Sequence, residues 1–200
     1  MTRIVNSVAV GCLVLAVVGC TSAPQPRTQS TPLPVSKTDL GEQPEWFLQT
    51  PQAPDYLYAS ATQISKDMQV ALDKATMAGR EEISRQLETK LETLRKRFQE
   101  ETGVGSESSL LQNFDQSGKE VASEALTGSY AKSKRTVREG QVWRAYVLVE
   151  YPIGEANRSL MKKIRAQEDM YTRFRATKAF EELDKEVKKL EDGKKSQSQP

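Results

Sequence analysis

The sequence predicts an α+β fold: a short antiparallel sheet of about three strands packed by long helices, with a long C-terminal helix. Three observations predict it. Segments 55–62, 129–138 and 141–151 alternate apolar and polar residues, as half-buried strands do. The regions between and after them repeat apolar residues every three or four positions, which is typical of helices with one buried face. Glycine and proline stand at most of the boundaries.

The first element along the chain is an export signal, predicted over residues 1–19. Arg3 gives a positive start, an apolar run extends from Val8 to Val18, and Gly19 is a small exit residue. The run is well short of the roughly 20 apolar residues that a bilayer core requires. We therefore expect a cleaved signal, with an uncleaved helical anchor as the alternative.

The end of this signal, Val17-Val18-Gly19-Cys20, resembles the bacterial lipobox. The resemblance implies that the Cys20 thiol receives diacylglycerol, that cleavage precedes Cys20, and that the freed amine is N-acylated. An ordinary cleaved signal remains the alternative. Thr21 stands where an aspartate tends to retain enteric lipoproteins on the inner membrane. This favours the outer membrane, with the domain in the periplasm or, alternatively, on the cell surface.

Composition excludes several kinds of chemistry. The chain has two cysteines and no histidine; Cys12 leaves with the signal and Cys20 carries lipid. This excludes a thiol nucleophile, a disulfide scaffold, cysteine-based zinc sites and histidine-based catalytic triads. Cleavage also removes Arg3, so one of the 29 basic residues is lost while all 27 acidic ones remain. The mature chain is therefore close to neutral, and no overall positive charge favours a nucleic acid as its partner. We expect no enzymatic activity, no metal and no cofactor.

Residues 20–43 are predicted to be the lipidated cysteine and a disordered linker. Four prolines alternate with Ser, Thr and Gln, and little apolar surface is available for burial. The linker spans roughly 25 Å as a flexible coil and at most about 70 Å as polyproline II.

The folded domain is predicted over residues 44–154. After Pro44-Glu45-Trp46 and the first strand, Ser65 is the expected N-cap of a helix that runs to about Glu101. A second amphipathic helix follows and ends at Gly128, and a tight turn at Glu139-Gly140 joins the last two strands. One amphipathic helix is expected over 155–192, and a disordered tail over 193–200.

The middle of the chain resembles the LPP20-type lipoproteins. The resemblance rests on Pro44-Glu45-Trp46, the strand Tyr56-Leu57-Tyr58-Ala59, the alanine-rich stretch 71–83 and the late strand 142–149. It covers roughly residues 44–152 and implies a lipid-anchored small α+β domain with a helix crossing a short antiparallel sheet. The chain departs from many relatives at Ala59-Ser60-Ala61, where they have glycine. The resemblance carries no catalytic residues.

A cluster of cations on one predicted strand is the first candidate site: Lys132, Lys134, Arg135 and Arg138. It is either a patch for an anionic envelope component or an edge strand protected from unwanted pairing, and the second interpretation is favoured. Trp46, Tyr56, Tyr58 and Trp143 either line a ligand groove or, as we favour, belong to the core. The pairs Glu81-Glu82 and Glu100-Glu101 are expected to be solvated charges, not catalytic carboxylates.

The C-terminal helix carries the second candidate site, an apolar stripe at three–four–three spacing: Phe180, Leu183, Val187 and Leu190. The stripe either packs on its own domain or binds a protein partner or a second copy of the chain. An earlier stripe, ending at Phe174, is out of phase with it, which argues against one continuous coiled coil.

These observations favour a non-enzymatic, lipid-anchored envelope module that binds or assembles with a partner. A motility accessory lipoprotein is an alternative, since similar domains occur in flagellar accessory proteins. An envelope hydrolase using carboxylates or a Ser/Lys pair is a less favoured one, because no placed nucleophile and base can be identified.

Overall fold

The computed structural model of the chain describes residues 43–197, with side chains as far as Gly193. The predicted signal, Cys20 and all of the linker except Gln43 lie outside these residues. The α+β class is confirmed. The elements in chain order are α1 (Glu45–Leu48), β1 (Tyr56–Ser65), α2 (Met68–Thr102), α3 (Ser109–Gly128), β2 (Tyr130–Glu139), β3 (Val142–Pro152), α4 (Ile153–Ala166), α5 (Glu168–Phe174) and α6 (Lys178–Gln197).

The three strands form one antiparallel sheet in the order β1-β3-β2, with β3 in the centre. Gly140, at φ 60°, makes the predicted turn between β2 and β3. The register skips Lys132, since Ala131 lies opposite Val149 while Ser133 lies opposite Leu148. Such a β-bulge shifts the alternation of every later residue on its strand.

The two faces of the sheet differ because successive residues of β3 point to opposite sides. Val147 and Val149 are fully buried on the side of α2, which we call the helix face. Tyr146 points to the opposite side, the outer face. There its ring meets Phe47 of α1 edge-on, with 4.9 Å between the ring centroids.

Helix α2 is defined at both ends by capping. The prediction that Ser65 is the N-cap is wrong. The N-cap is Asp67, whose carboxylate accepts a hydrogen bond from the Val70 amide at 2.9 Å. Ser65 belongs to β1, and its hydroxyl instead accepts a bond from the Asp67 amide. At the other end Gly103 is left-handed, with φ 67°, and its amide donates to the Gln99 carbonyl.

Small residues allow α2 to lie directly on the sheet. Ala71, Ala75 and Gly79 repeat every four positions and are buried on this side. A Cβ placed on Gly79 would lie 2.5 Å from Cγ2 of Val149. This contact therefore requires glycine.

The C-terminal half of α2 extends beyond the sheet. Its 35 residues span about 52 Å, whereas a ten-residue strand spans about 33 Å. The overhang carries Phe98, which is fully buried against Phe114 of α3 and Phe174 of α5. The ring centroids of Phe98 and Phe174 are 4.4 Å apart. A helical core thus adjoins the helix–sheet core.

The single helix predicted over 155–192 is instead three helices, of which α6 is the C-terminal one. Gln167 is extended and separates α4 from α5, and Thr177 begins α6 by accepting a hydrogen bond from the Phe180 amide at 3.2 Å. The two apolar stripes are out of phase, so a straight helix would expose one of them. The breaks place both Phe174 and Phe180 in the same core.

Helix α6 also extends further than predicted. It reaches Gln197, so the boundary of a disordered tail at residue 193 is wrong. Residues 198–200 lie outside the described part of the chain. Within residues 43–197, no helix combines the length and apolar composition required to cross a membrane.

We predict that Gly79→Ala destabilises the domain by about 1–3 kcal/mol through overpacking. The new methyl group meets Val149, which is fully buried, so the side chain cannot move out into solvent. Alanine's better helix propensity, worth about 1 kcal/mol, offsets this only in part. Urea unfolding measures the change.

Gly118→Ala in α3 is the matched control. The nearest atom to its new Cβ is Cδ1 of Leu91 at 3.6 Å, an ordinary contact. We expect this variant to be as stable as the wild type or up to about 1 kcal/mol more stable. A Gly79→Ala protein at least as stable as the wild type would contradict the close approach of α2.

Candidate functional site

The predicted cationic cluster lies on β2, which is an edge strand, but the sheet divides its members between two faces. Lys134 and Arg138 lie opposite Val147 and Trp143, on the helix face. Arg135 lies opposite Tyr146, on the outer face. Lys134 and Arg135 are adjacent, so they point to opposite faces in any register. The bulge at Lys132 shifts the later alternation and so separates Lys132 from Lys134 and Arg138. The four cations therefore do not form one patch.

Lys132 belongs to a polar cluster on the outer face. Its ammonium group donates to Oε2 of Glu150 at 2.6 Å and to the Tyr58 hydroxyl at 3.2 Å. The Tyr130 hydroxyl donates to Oε1 of the same carboxylate. Register places Tyr58 and Tyr130 on either side of Glu150, one on each neighbouring strand. We call these four residues the Glu150 cluster.

The Glu150 carboxylate is stabilised as the anion although its residue is only 5% exposed. Burial raises the pKa of Glu150, but hydrogen bonds from Lys132 and Tyr130 lower it further, so the net change from 4.5 is downward. The same contacts raise the pKa of Lys132 and of Tyr130. Lys132 is therefore committed to Glu150 and is not free for an external anion.

The four aromatic residues neither form one groove nor, as the favoured interpretation predicted, all belong to the core, since only Trp143 packs against it. Trp143 lies on the helix face, where it packs against the core and the Arg138 guanidinium lies over its ring. Tyr56 and Tyr58 lie on the outer face with ring centroids 6.1 Å apart. Trp46 is in α1, and its carbonyl accepts a hydrogen bond from the Ser60 hydroxyl. Only the two tyrosines are neighbours.

The paired glutamates have separate roles. Glu81 is exposed, Glu82 binds Arg85 within α2, and the Glu101 carboxylate caps α6 by accepting from the Lys178 amide at 2.6 Å. Glu100 is exposed. The pKa values of Glu82, Glu120, Glu124 and Glu182 are lowered, chiefly by hydrogen bonds from Arg85, Lys163, Ser159 and Arg97 respectively. None of these four carboxyls has the raised pKa of a general acid.

A cleft of about 790 Å³ lies where α2, α4 and α6 meet the start of β1. Its apolar lining includes Leu94, Ile153 and Leu183, and its polar lining includes Lys90, Arg97 and Tyr56. A second cavity, of about 640 Å³, follows β1 between segment 50–54 and α2. The two share Pro54, Tyr56, Lys90 and Ile153. Tyr56 and Lys90 thus stand at their junction.

The apolar stripe of α6 is part of the domain core. Phe180, Leu183 and Val187 are at most 8% exposed, and Leu190 packs against Gly154 at the start of α4. The partner-binding prediction for this stripe is therefore corrected: its side chains already cover α4 and α2. Packing on its own domain, the other alternative, is what the structure shows.

Sequence patterns did not indicate the cleft. Its lining comes from four separated segments, at 54–56, 90–97, 152–157 and 179–193. Tyr56 was recognised as an aromatic candidate, but Lys90 has no local signature that separates it from other helical lysines.

The residues of the predicted lipobox, Val17, Val18, Gly19 and Cys20, lie outside the described residues. Comparisons of the chain with protein-family models, curated proteins and solved structures found no match. The resemblance to LPP20-type lipoproteins stays a prediction.

We predict that Glu150→Gln lowers the free energy of unfolding at pH 7 by about 1–3 kcal/mol, because Lys132 loses its charged partner. The pKa of Glu150 is lower in the folded protein than its unfolded value near 4.5. Its stabilisation is therefore present above that pH and is lost as the pH falls. Urea unfolding between pH 7 and pH 3 should show a flatter pH dependence for the variant.

Glu92→Gln provides the control, since Glu92 pairs with Lys96 at 3.6 Å on the exposed surface of α2. We expect it to change stability by less than about 0.5 kcal/mol. Equal pH dependence in Glu150→Gln and wild type would show that Glu150 is not a stabilising anion.

Proposed function

We propose that the protein is an outer-membrane lipoprotein whose α+β domain serves as a non-enzymatic binding or assembly module in the cell envelope. The observation that carries the anchor is Val17-Val18-Gly19-Cys20 at the end of a short apolar run. Each buried methylene contributes about 0.8 kcal/mol, and one acyl chain gives only marginal anchoring. Three chains on Cys20 make attachment effectively permanent. Thr21 supports the outer membrane as the destination.

The linker supports a tethered domain. Pro44 begins the folded part, 24 positions after Cys20, and the prolines between them favour an extended chain. The chain enters the domain at α1, which lies on the outer face of the sheet. The proposed anchor at Cys20 precedes the lining of the cleft, which begins at Pro54, so the two belong to separate parts of the sequence.

The cleft supports a binding role. Its volume falls in the range typical of ligand sites, and it combines apolar lining with a few polar groups. The carboxylate form of the hydrolase alternative requires a carboxyl held protonated near neutral pH. Glu182, which lines the cleft, has a lowered pKa because of its hydrogen bond with Arg97, so it does not fit that role.

We predict that Cys20→Ser abolishes acylation and releases the protein from the membrane fraction. Metabolic labelling with a fatty acid, mass spectrometry of the mature N-terminus and cell fractionation measure both effects. The expected wild-type mass is that of a chain beginning at Cys20 with diacylglycerol and an N-acyl group.

Cys12→Ser is the matched control, because it removes the other thiol from the same predicted signal. It should leave acylation and fractionation unchanged. The anchor proposal fails if Cys20→Ser remains in the membrane fraction, or if the native mature protein lacks acyl mass on its first residue.

A further inference from the structure

Strand β1 is an edge of the sheet, and its alternation shows which of its backbone groups face outwards. The Ile153 amide donates at 3.0 Å to the carbonyl of Asp55, the residue before β1, so Asp55 and every second residue after it bond to β3. The residues between them point their amides and carbonyls away from the sheet. The even-numbered residues of β1 therefore form its open edge: Tyr56, Tyr58, Ser60, Thr62 and Ile64.

The chain itself covers only the beginning of this edge. The Tyr56 amide donates to the Ala53 carbonyl at 3.4 Å, and the Gln86 side chain donates to the Tyr58 carbonyl at 3.1 Å. Beyond Tyr58, within residues 43–197, the edge-facing amides and carbonyls of three residues have no hydrogen-bond partner: Ser60, Thr62 and Ile64.

This part of the edge lacks the features by which proteins usually prevent pairing between sheet edges. Strand β1 contains no charged residue and no proline, and its register with β3 has no bulge. Strand β2, the other edge, has four cations and the bulge at Lys132. The sheet therefore offers one edge suited to pairing. A single edge that pairs with the same edge of another copy gives a closed dimer and not an open chain of copies.

We propose that the open edge of β1 pairs with the same edge of a second copy of the chain, so that two antiparallel β1 strands join the two sheets. The free residues centre the pairing on Thr62, which lies opposite the partner's Thr62, while Ser60 lies opposite the partner's Ile64. Each opposed pair exchanges two backbone hydrogen bonds. Strand β1 ends at Ser65, opposite the partner's Ala59, so it stops before the covered beginning of the partner's edge.

Exposed apolar side chains come together in this register. Ile64 is 48% exposed on the outer face and lies beside the partner's Ser60. The Ser60 hydroxyl donates to the Trp46 carbonyl at 3.2 Å, so α1 stands next to this position, and Leu48 of α1 is 65% exposed. Ile64 of each copy therefore faces α1 of the other copy, and burial of their apolar surface favours association.

The place where the linker enters the domain argues for a second copy as the occupant of this edge. Two antiparallel strands of one sheet are related by a twofold axis perpendicular to the sheet, so the outer faces of both copies lie on the same side. Helix α1, through which the linker enters, lies on the outer face. Both linkers therefore leave the dimer on one side, as two anchors in one membrane require. This step rests on the proposed lipid anchor, which also raises the effective concentration of one copy around the other.

The first test is disulfide formation by full-length Thr62→Cys in membranes of the cells that express it, with copper phenanthroline as the oxidant. Directly opposed residues that exchange hydrogen bonds have Cα atoms about 5.5 Å apart, which a disulfide can span. Ile64→Cys is the matched control on the same edge. The two copies of residue 64 lie roughly 13 Å apart along the strands, which is too far for a disulfide. We expect a disulfide dimer from Thr62→Cys and about tenfold less from Ile64→Cys.

The second test is Thr62→Pro, which removes the central amide of the pairing. This amide faces the open edge, so proline breaks no hydrogen bond with β3, and proline is tolerated at such positions of edge strands. We expect the acylated variant to keep the circular dichroism spectrum of the wild type. Its dimer dissociation constant should be at least about tenfold higher. Sedimentation equilibrium in a density-matched detergent measures this constant for both proteins.

Three results overturn the inference: no disulfide dimer from Thr62→Cys, equal dimer from Thr62→Cys and Ile64→Cys, and a folded Thr62→Pro protein that dimerises as the wild type does. The first result would leave the linker or another protein as the occupant of the edge. The crosslinking result decides if Thr62→Pro does not fold. The anchor proposal fails separately, on acyl mass at Cys20, and a disulfide dimer of the wild type would reveal a free thiol at Cys12 or Cys20.

Discussion

The structure depends first on the close approach of α2 to the sheet at Gly79. Because the Val149 side chain occupies the space a Cβ would need, the helix axis lies nearer to β3 than any larger residue permits. This approach leaves Ala59 and Val149 with at most 2% exposure and fixes which sheet face becomes the core. It also determines where the second half of α2 projects. The overhang then provides Phe98 as the centre of the helical core, on which α3, α5 and α6 assemble.

Strand β3 satisfies two different requirements on its two faces. Its helix face is apolar, whereas its outer face holds the Glu150 carboxylate. A slip of one residue in register would turn Glu150 towards α2 and separate it from Lys132. An unpaired buried charge is costly, so the Glu150 cluster penalises the wrong register more than it strengthens the right one. The bulge at Lys132 is compatible with this arrangement, since it leaves that residue unpaired in the ladder and close to the carboxylate.

Elements defined by local patterns were predictable from the sequence. The alternation from Trp143 to Tyr151 and the turn at Gly140 predicted the β2–β3 hairpin to within a residue or two. The division of α4, α5 and α6 was missed although the apolar stripes change phase between Phe174 and Phe180, because no proline or glycine between Ala156 and Asp192 marks a break. One of the contacts that begin α6 comes from Glu101, 77 residues before Lys178. The bulge and the cleft were missed for a similar reason: both depend on which distant segments become neighbours.

The walls and the rim of the cleft are held by different forces. Buried apolar contacts hold α6 in place, through Leu183 and Val187, and these contacts do not weaken with ionic strength. Its bridges to other elements, such as Arg97 with Glu182, are largely exposed and contribute little to stability. Loss of these ion pairs therefore costs the domain little stability, and the cleft keeps its shape without them.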